Sequence, residues 1–125
     1  EFRDRTAPPP LPTTGVGGPL SFSQGAAHSS ELTYLFTLAT RGALNAEQQA
    51  LSGTMVRYTA RFARTGDPNG GTDPAWAPFT AASPIYQGFD IASGGGVGPL
   101  PATLFSANPA NLPEGHFCSP YTPTN

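Results

Sequence analysis

The most regular hydrophobic pattern in the chain lies between residues 45 and 66. Large apolar side chains recur there at the spacing of one helix face: Leu51, Met55, Tyr58 and Phe62. Asn45 is a favourable N-cap for a helix that begins at the next residue, and Gly66 is typical of a helix end. The pattern therefore predicts an amphipathic helix over residues 46–65, with the apolar stripe packed in the core.

A shorter helical pattern precedes it, over residues 31–39. Its apolar positions also follow helical spacing: Leu32, Leu35, Phe36 and Ala39. Either Ser29 or Ser30 is a plausible N-cap. Threonines and aromatic residues lower the intrinsic helix propensity of this segment, so we expect packing against other elements to hold the helix in place.

In two segments the side chains alternate between the two faces of a strand. Residues 1–5 place Phe2 between charged neighbours and predict the tail of a strand before a run of prolines. Residues 85–91 predict a second strand, with one face formed by Ile85, Gln87, Phe89 and Ile91. Between the first strand and the short helix runs a long Gly-rich loop, and loops of this length are functional or disordered.

Composition limits how large a core the chain can build. Leu, Ile, Val and Phe together make up 23 of the 125 residues, whereas Gly and Pro contribute 15 each. We therefore expect one long helix, one short helix, one or two strands and long Gly/Pro-rich loops. The glycine cluster at 94–96 is no nucleotide loop, because no helix pattern follows it.

Charge and cysteine content exclude several function classes. The net charge is −2, and six scattered arginines form no phosphate-binding face, so nucleic acid is not an expected partner. No apolar run has the length of a membrane span, and the start resembles no signal peptide. The single cysteine, Cys118, excludes an internal disulfide and a cysteine-based zinc site. We therefore expect the chain to be an internal piece of a longer protein.

Histidine offers the main candidate for catalysis. The two histidines are His28, at the end of the Gly-rich loop, and His116, which we interpret as a surface residue. An imidazole suits general-base work near neutral pH, but most loop histidines have other roles. Position alone therefore leaves both a catalytic and an ordinary role open for His28.

Four segments, taken in order, resemble the type-B carboxylesterases, the family of cholinesterases and p-nitrobenzyl esterases. The first, residues 25–36, matches the family's G-x-x-H-x-x-E segment and the apolar and aromatic residues after it. The others are the F-A-x-x-G-x-P-N-G turn at 62–70, the tryptophan segment at 76–79, and the closing strand with the terminal H-x-C at 116–118. The chain departs from the family's usual Trp-Pro at Ala77, and from the aromatic pair after the cysteine at 119–120.

The resemblance implies an α/β-hydrolase fold and a serine carboxylic-ester hydrolase. In that fold the triad follows the chain order Ser, acid, His, and this chain would supply only the last member, His28. No G-x-S-x-G occurs in it. Residues 1–125 would then be the C-terminal segment of a single α/β-hydrolase domain, not an independent domain. The expected partners are the remaining N-terminal part of the same esterase and a small-molecule ester, with no cofactor and no metal.

The resemblance also suggests roles for two further residues. Glu31 would be a buried group that supports the histidine, or else an ordinary first-turn glutamate favoured by the helix dipole. Cys118 is a buried thiol, an exposed thiol, or a disulfide partner of another segment. The family favours the disulfide, which would imply a secreted or extracellular protein. The alternative function is a non-catalytic, cholinesterase-like binding or adhesion module.

Overall fold

The structure is a computed structural model and describes residues 1–8, 14–15, 18–19, 26, 29–36, 38 and 42–101. A short antiparallel pair comes first, with Thr14 opposite Pro19. The elements in chain order are β1 (Thr14–Gly15), β2 (Gly18–Pro19), α1 (Leu32–Leu35), α2 (Ala46–Thr65), β3 (Ile85–Phe89), a 3₁₀ turn (Ala92–Gly94) and β4 (Val97–Pro101).

Helix α2 has the bounds that the sequence predicts. Asn45 Oδ1 accepts a hydrogen bond from the Gln48 N–H at 3.0 Å, and Gln48 Oε1 accepts from the Asn45 N–H at the same distance. This reciprocal pair satisfies two backbone donors that would otherwise lack a partner at the helix start. At the other end Gly66 adopts φ 76°, the left-handed conformation that glycine tolerates best.

The core face of α2 differs from the prediction at its two ends. Leu51, Met55 and Tyr58 are buried as expected, but Phe62 is 60% exposed, so its placement in the core is wrong. Phe62 lies on the last turns of the helix and borders an open groove rather than a packed layer. Gln48 is buried on the first turn, although a hydrophobic stripe assigns no core position to an amide.

Helix α1 is shorter than predicted, and the expected serine cap is wrong. Its N-cap is Glu31, without a side-chain cap hydrogen bond. The two serines contribute main-chain carbonyls instead: Ser29 accepts from the Leu32 N–H and Ser30 from the Thr33 N–H, both at 3.3 Å. Both are i→i+3 bonds of the tight turn that leads into the helix. Ser29, at the start of this turn, has a left-handed φ of 68°.

The buried face of α1 also differs from the predicted one. Thr33 and Tyr34 are buried, whereas Phe36 is 59% exposed and Leu32 and Leu35 are half-buried. Tyr34 turns inward because its ring packs edge-on against Phe2, with centroids 4.9 Å apart, and its hydroxyl finds a polar partner.

Three strand segments lie side by side, with β3 in the middle. β3 and β4 pair antiparallel, with Gln87 opposite Pro99. On the other edge Phe2 pairs with Phe89 in parallel, and the Arg3 N–H donates to the Phe89 carbonyl at 2.8 Å. The predicted strands are thus confirmed at Phe2 and over residues 85–89. β4 was not predicted.

The core lies between α2 and these strands. An aromatic group joins the helix to the strand and to the loop after the helix: the ring of Tyr58 meets Trp76 at 5.6 Å and Phe89 at 5.9 Å, edge to face. The second part of the core surrounds α1 and is formed by Ala7, Tyr34, Leu51, Met55 and Ile91. Both the loop after α2 and the short helix before it therefore pack against α2.

Candidate functional site

The residues that the sequence singles out are only partly within the described ranges. His28, His116 and Cys118 lie outside the described residues. Glu31 is described: it is half-buried, directly before α1, and its carbonyl accepts from the Tyr34 N–H at 3.0 Å. The structure therefore describes the segment that follows His28, from Ser29 to Phe36.

This segment meets a buried carboxylate that the sequence patterns did not reveal. Asp4 is 0% exposed, and each of its oxygens is hydrogen-bonded. Its Oδ1 accepts from the Thr6 N–H at 2.8 Å and from the Thr6 hydroxyl at 2.7 Å. Its Oδ2 accepts from the Tyr34 hydroxyl and from Gln48 Nε2, the latter at 3.1 Å. Four donors therefore surround one carboxylate, which matches an ionised, acceptor-only group.

Burial and hydrogen bonding act in opposite directions on this carboxylate. Burial raises the pKa of Asp4, but the hydrogen bonds from Tyr34, Thr6 and Gln48 outweigh it, so the pKa lies below its ordinary value. Burial raises the pKa of Tyr34, and its hydrogen bond to Asp4 raises the pKa further. At neutral pH Asp4 is therefore charged and Tyr34 is a neutral donor.

The same network ties together three parts of the chain that are far apart in sequence. Gln48 Nε2 also donates to the Thr6 carbonyl at 3.1 Å, which fixes the N-terminal segment to α2. The Ser52 hydroxyl donates to the Tyr34 carbonyl at 2.6 Å, which fixes α1 to α2. Because all these partners are internal, the network holds elements in place and leaves Asp4 no free oxygen for proton transfer to a substrate.

A second charged cluster holds the loop after α2. Arg57 Nη2 donates to Asp73 Oδ1 and Arg61 Nη2 to Asp73 Oδ2, both at 2.6 Å. The Asp73 side chain is 6% exposed, and these hydrogen bonds hold its pKa at about 2. Asn69 fastens the same loop, because its side chain accepts from the Trp76 N–H at 2.7 Å. The glycine-proline turn at 66–70 and the tryptophan segment are thus one packed unit.

We expect Asp73→Asn in the complete polypeptide to lower the thermal midpoint by about 1–2 °C at pH 7, because the charge-assisted bonds to Arg57 and Arg61 weaken. The folded pKa of about 2 lies below the ordinary 3.8, so the stabilisation is present above 3.8 and is lost as pH falls towards 2. Calorimetry at pH 7, 5, 4 and 3 should show the gap between parent and variant narrowing below pH 4. A gap that stays constant to pH 3 would contradict this assignment.

An apolar groove of about 670 Å³ lies between the C-terminal half of α2 and residues 66–79. Phe62, Trp76 and Phe79 line it, and Asp67 is the one carboxylate in its lining. Among the described residues, no three His, Cys, Asp or Glu side chains come together as they would around a metal ion. His28, the sequence's candidate for chemistry, lies outside the described residues.

The short helix, the long helix and the mixed parallel and antiparallel pairing are consistent with part of an α/β fold. Residues 2–94 match the sequence model described as the carboxylesterase family. The chain belongs to the carboxylesterase family, as the four ordered segments indicated, and that family implies the α/β-hydrolase fold. In the described ranges, no helix is both long and apolar enough to cross a membrane.

Curated relatives match about half of the chain. Acetylcholinesterase from Gallus gallus is 40% identical over 65 residues, which cover 50% of this chain and 8% of the relative. Carboxylesterase 4A from Bos taurus is 36% identical over 66 residues, covering 52% of this chain and 12% of the relative. Bile salt-activated lipase from Bos taurus is 42% identical over 67 residues, covering 50% and 11%. The chain thus spans about a tenth of the length of these relatives.

Proposed function

We propose that this chain is the C-terminal part of a serine carboxylic-ester hydrolase and supplies the histidine of its triad, His28. The observation that carries the proposal is the family match over residues 2–94, which includes the G-x-x-H-x-x-E segment at 25–31. The remaining N-terminal part of the esterase, as the same polypeptide or a separate piece, would supply the nucleophilic serine, the acid and the oxyanion donors. The substrate is a small-molecule ester.

In this mechanism His28 accepts one proton and then donates it in each half-reaction. The imidazole accepts the serine hydroxyl proton as the serine oxygen attacks the ester carbonyl, and it returns that proton to the departing alcohol. It then accepts a proton from water, whose oxygen attacks the acyl-serine, and returns that proton to the serine as the carboxylic acid leaves. The acid of the triad would hold the other ring nitrogen and stabilise the imidazolium.

The described segment that follows His28 in the chain supports such a role. A general base has to be held within hydrogen-bond reach of the proton that it takes, and rigid packing of the neighbouring chain favours this. Two residues of the segment after His28 are fully buried: Ser30 is 0% exposed and Tyr34 is 1% exposed. Its main chain is also fastened to α2, through the hydrogen bond from Ser52 to the Tyr34 carbonyl.

Two further residues belong to the proposal. Glu31 would support the histidine from three positions along the chain, and its half-buried place before α1 is compatible with that role. Cys118 would form a disulfide with a cysteine of another segment, in a secreted or extracellular enzyme.

Ester hydrolysis by the complete polypeptide tests the proposed function. We expect it to release p-nitrophenolate from p-nitrophenyl acetate and to be inactivated by a serine-reactive fluorophosphonate. The 125-residue chain alone should do neither, because no G-x-S-x-G occurs in it. A complete, folded polypeptide that neither hydrolyses the ester nor reacts with the fluorophosphonate would contradict the proposal and favour the non-catalytic binding or adhesion module.

A further inference from the structure

We propose that Asp4 and Tyr34 are positioning residues for His28: their hydrogen bond holds the segment joined to the histidine in one place relative to the sheet. The inference rests on the proposed function, in which His28 is the triad base. Neither residue touches the reacting atoms in this proposal, and both act through the main chain between Ser29 and Tyr34.

Helix α1 is too short to fix its own position. It has four residues and no side-chain cap, and a single turn of helix is unfavourable in isolation because nucleation costs more than one hydrogen bond returns. Ser29, which opens the turn before it, has a left-handed φ of 68°, a conformation that non-glycine residues adopt only when their surroundings enforce it. Contacts with the rest of the molecule must therefore decide where this segment lies.

Tyr34 provides these contacts through its side chain and its main chain. Its hydroxyl donates to Asp4 Oδ2, and its ring packs edge-on against Phe2 at 4.9 Å. Its carbonyl accepts from the Ser52 hydroxyl of α2 at 2.6 Å. One residue thus connects α1 both to the N-terminal segment and to the long helix.

Other hydrogen bonds fix the position of the Asp4 carboxylate, so the Tyr34 hydroxyl donates to an acceptor that is already held in place. Thr6 donates twice to Oδ1, and Gln48 Nε2 donates to Oδ2 at 3.1 Å. The preceding residue, Arg3, bonds to the Phe89 carbonyl of β3 at 2.8 Å. Asp4 and its neighbour Arg3 therefore connect α1 to the central strand, β3.

This connection continues to the histidine through the chain itself. Ser29 is joined to His28 by one peptide bond, so a shift of the turn moves the residue that carries the imidazole. Displacing a catalytic group by about 1 Å can cost about 100-fold in rate. A directional hydrogen bond to a buried carboxylate fixes a position more narrowly than apolar packing alone, and this accounts for a charged group at a fully buried place.

The experiment compares Tyr34→Phe, Asp4→Asn and the double variant in the complete esterase, well below their thermal midpoints. We expect kcat for p-nitrophenyl acetate to fall by about tenfold to 100-fold while KM stays within about twofold. The double variant should lose no more than the more damaging single one, because both remove the same connection. Glu47→Gln is the matched control, since Glu47 is exposed on the same helix as Gln48 and its carboxylate accepts from the N–H and the hydroxyl of exposed Ser93. It should keep the parent kcat.

Two groups of outcomes separate the inference from the function on which it rests. A parent that does not hydrolyse the ester, or a fully active His28→Ala variant, overturns the proposed function. If the parent is active and His28→Ala is not, folded variants that keep kcat within twofold overturn the positioning role alone. An equal loss in Glu47→Gln also overturns it. Tyr34→Phe keeps the ring in the core and removes only the hydroxyl, so this test stands even if Asp4→Asn does not fold.

Discussion

Replacing His28 by alanine in the complete polypeptide is expected to lower kcat for ester hydrolysis by about 10⁴-fold or more. Without the imidazole, the serine proton has no acceptor near neutral pH, and the leaving alcohol has no donor. The thermal midpoint should change little, because the proposed role of this residue is proton transfer and not packing. The variant should therefore lose its activity and keep its stability.

The chain offers a matched control for this experiment in its second histidine. His116→Ala removes the same side chain from a position that we interpret as surface, and it should leave kcat unchanged. The measurements are p-nitrophenolate release at saturating ester and a calorimetric melt of each variant. If His28→Ala retains turnover within about tenfold of the parent, which is about 1.4 kcal/mol of barrier, the histidine is not the base.

Helix α2 could be predicted to the residue because the signals that fix it are local. The cap residue, the start of the stripe and the glycine that ends the helix all lie on the element itself. Asn45 and Gly66 act through backbone groups of the helix ends, and these are present whatever the rest of the fold does. Local agreement of cap, stripe and stop is what makes such a helix readable from sequence.

Helix α1 could not be placed in the same way, because its packing partner lies 30 positions away. The apolar stripe favoured Leu32, Leu35 and Phe36, whereas the structure buries Tyr34 against Asp4. A polar pair of this kind is invisible to a hydrophobic pattern. The sequence did contain one partial signal for this polar network. Gln48 is the third residue of α2, where a glutamine side chain folds back over the N-cap and its amide faces the segment packed beside the cap.

Strand β4 illustrates a different failure. Gly98, Pro99 and Pro101 argue against a strand on propensity alone, yet residues 97–101 pair along the whole of β3. Pairing along one side only makes β4 an edge of the described strands, where a residue without an N–H is tolerated. For the site, the motif order of the resemblance predicts His28, whereas Asp4 carried no motif and only the structure revealed its network.

The 125-residue chain on its own is expected to lack a cooperative thermal transition. The described residues bury few large apolar side chains, and several others remain open to solvent: Phe36, Val56, Phe62, Phe79 and Tyr86 are 40–60% exposed. The amide of Gln87 is buried with neither of its polar atoms hydrogen-bonded, which costs about 1–3 kcal/mol. Domains with so small a core rarely hold together alone.

Calorimetry of the isolated chain should therefore show no sharp heat-absorption peak, and a hydrophobic dye such as ANS should bind it strongly. The complete polypeptide should melt cooperatively and bind little dye, because the rest of the α/β-hydrolase domain would cover the exposed aromatic residues. Phe62→Ser with Phe79→Ser in the isolated chain controls for the source of dye binding and should reduce it. A single cooperative melt of the isolated chain would contradict our placement of residues 1–125 within a larger domain, because a segment that folds alone has a sufficient core of its own.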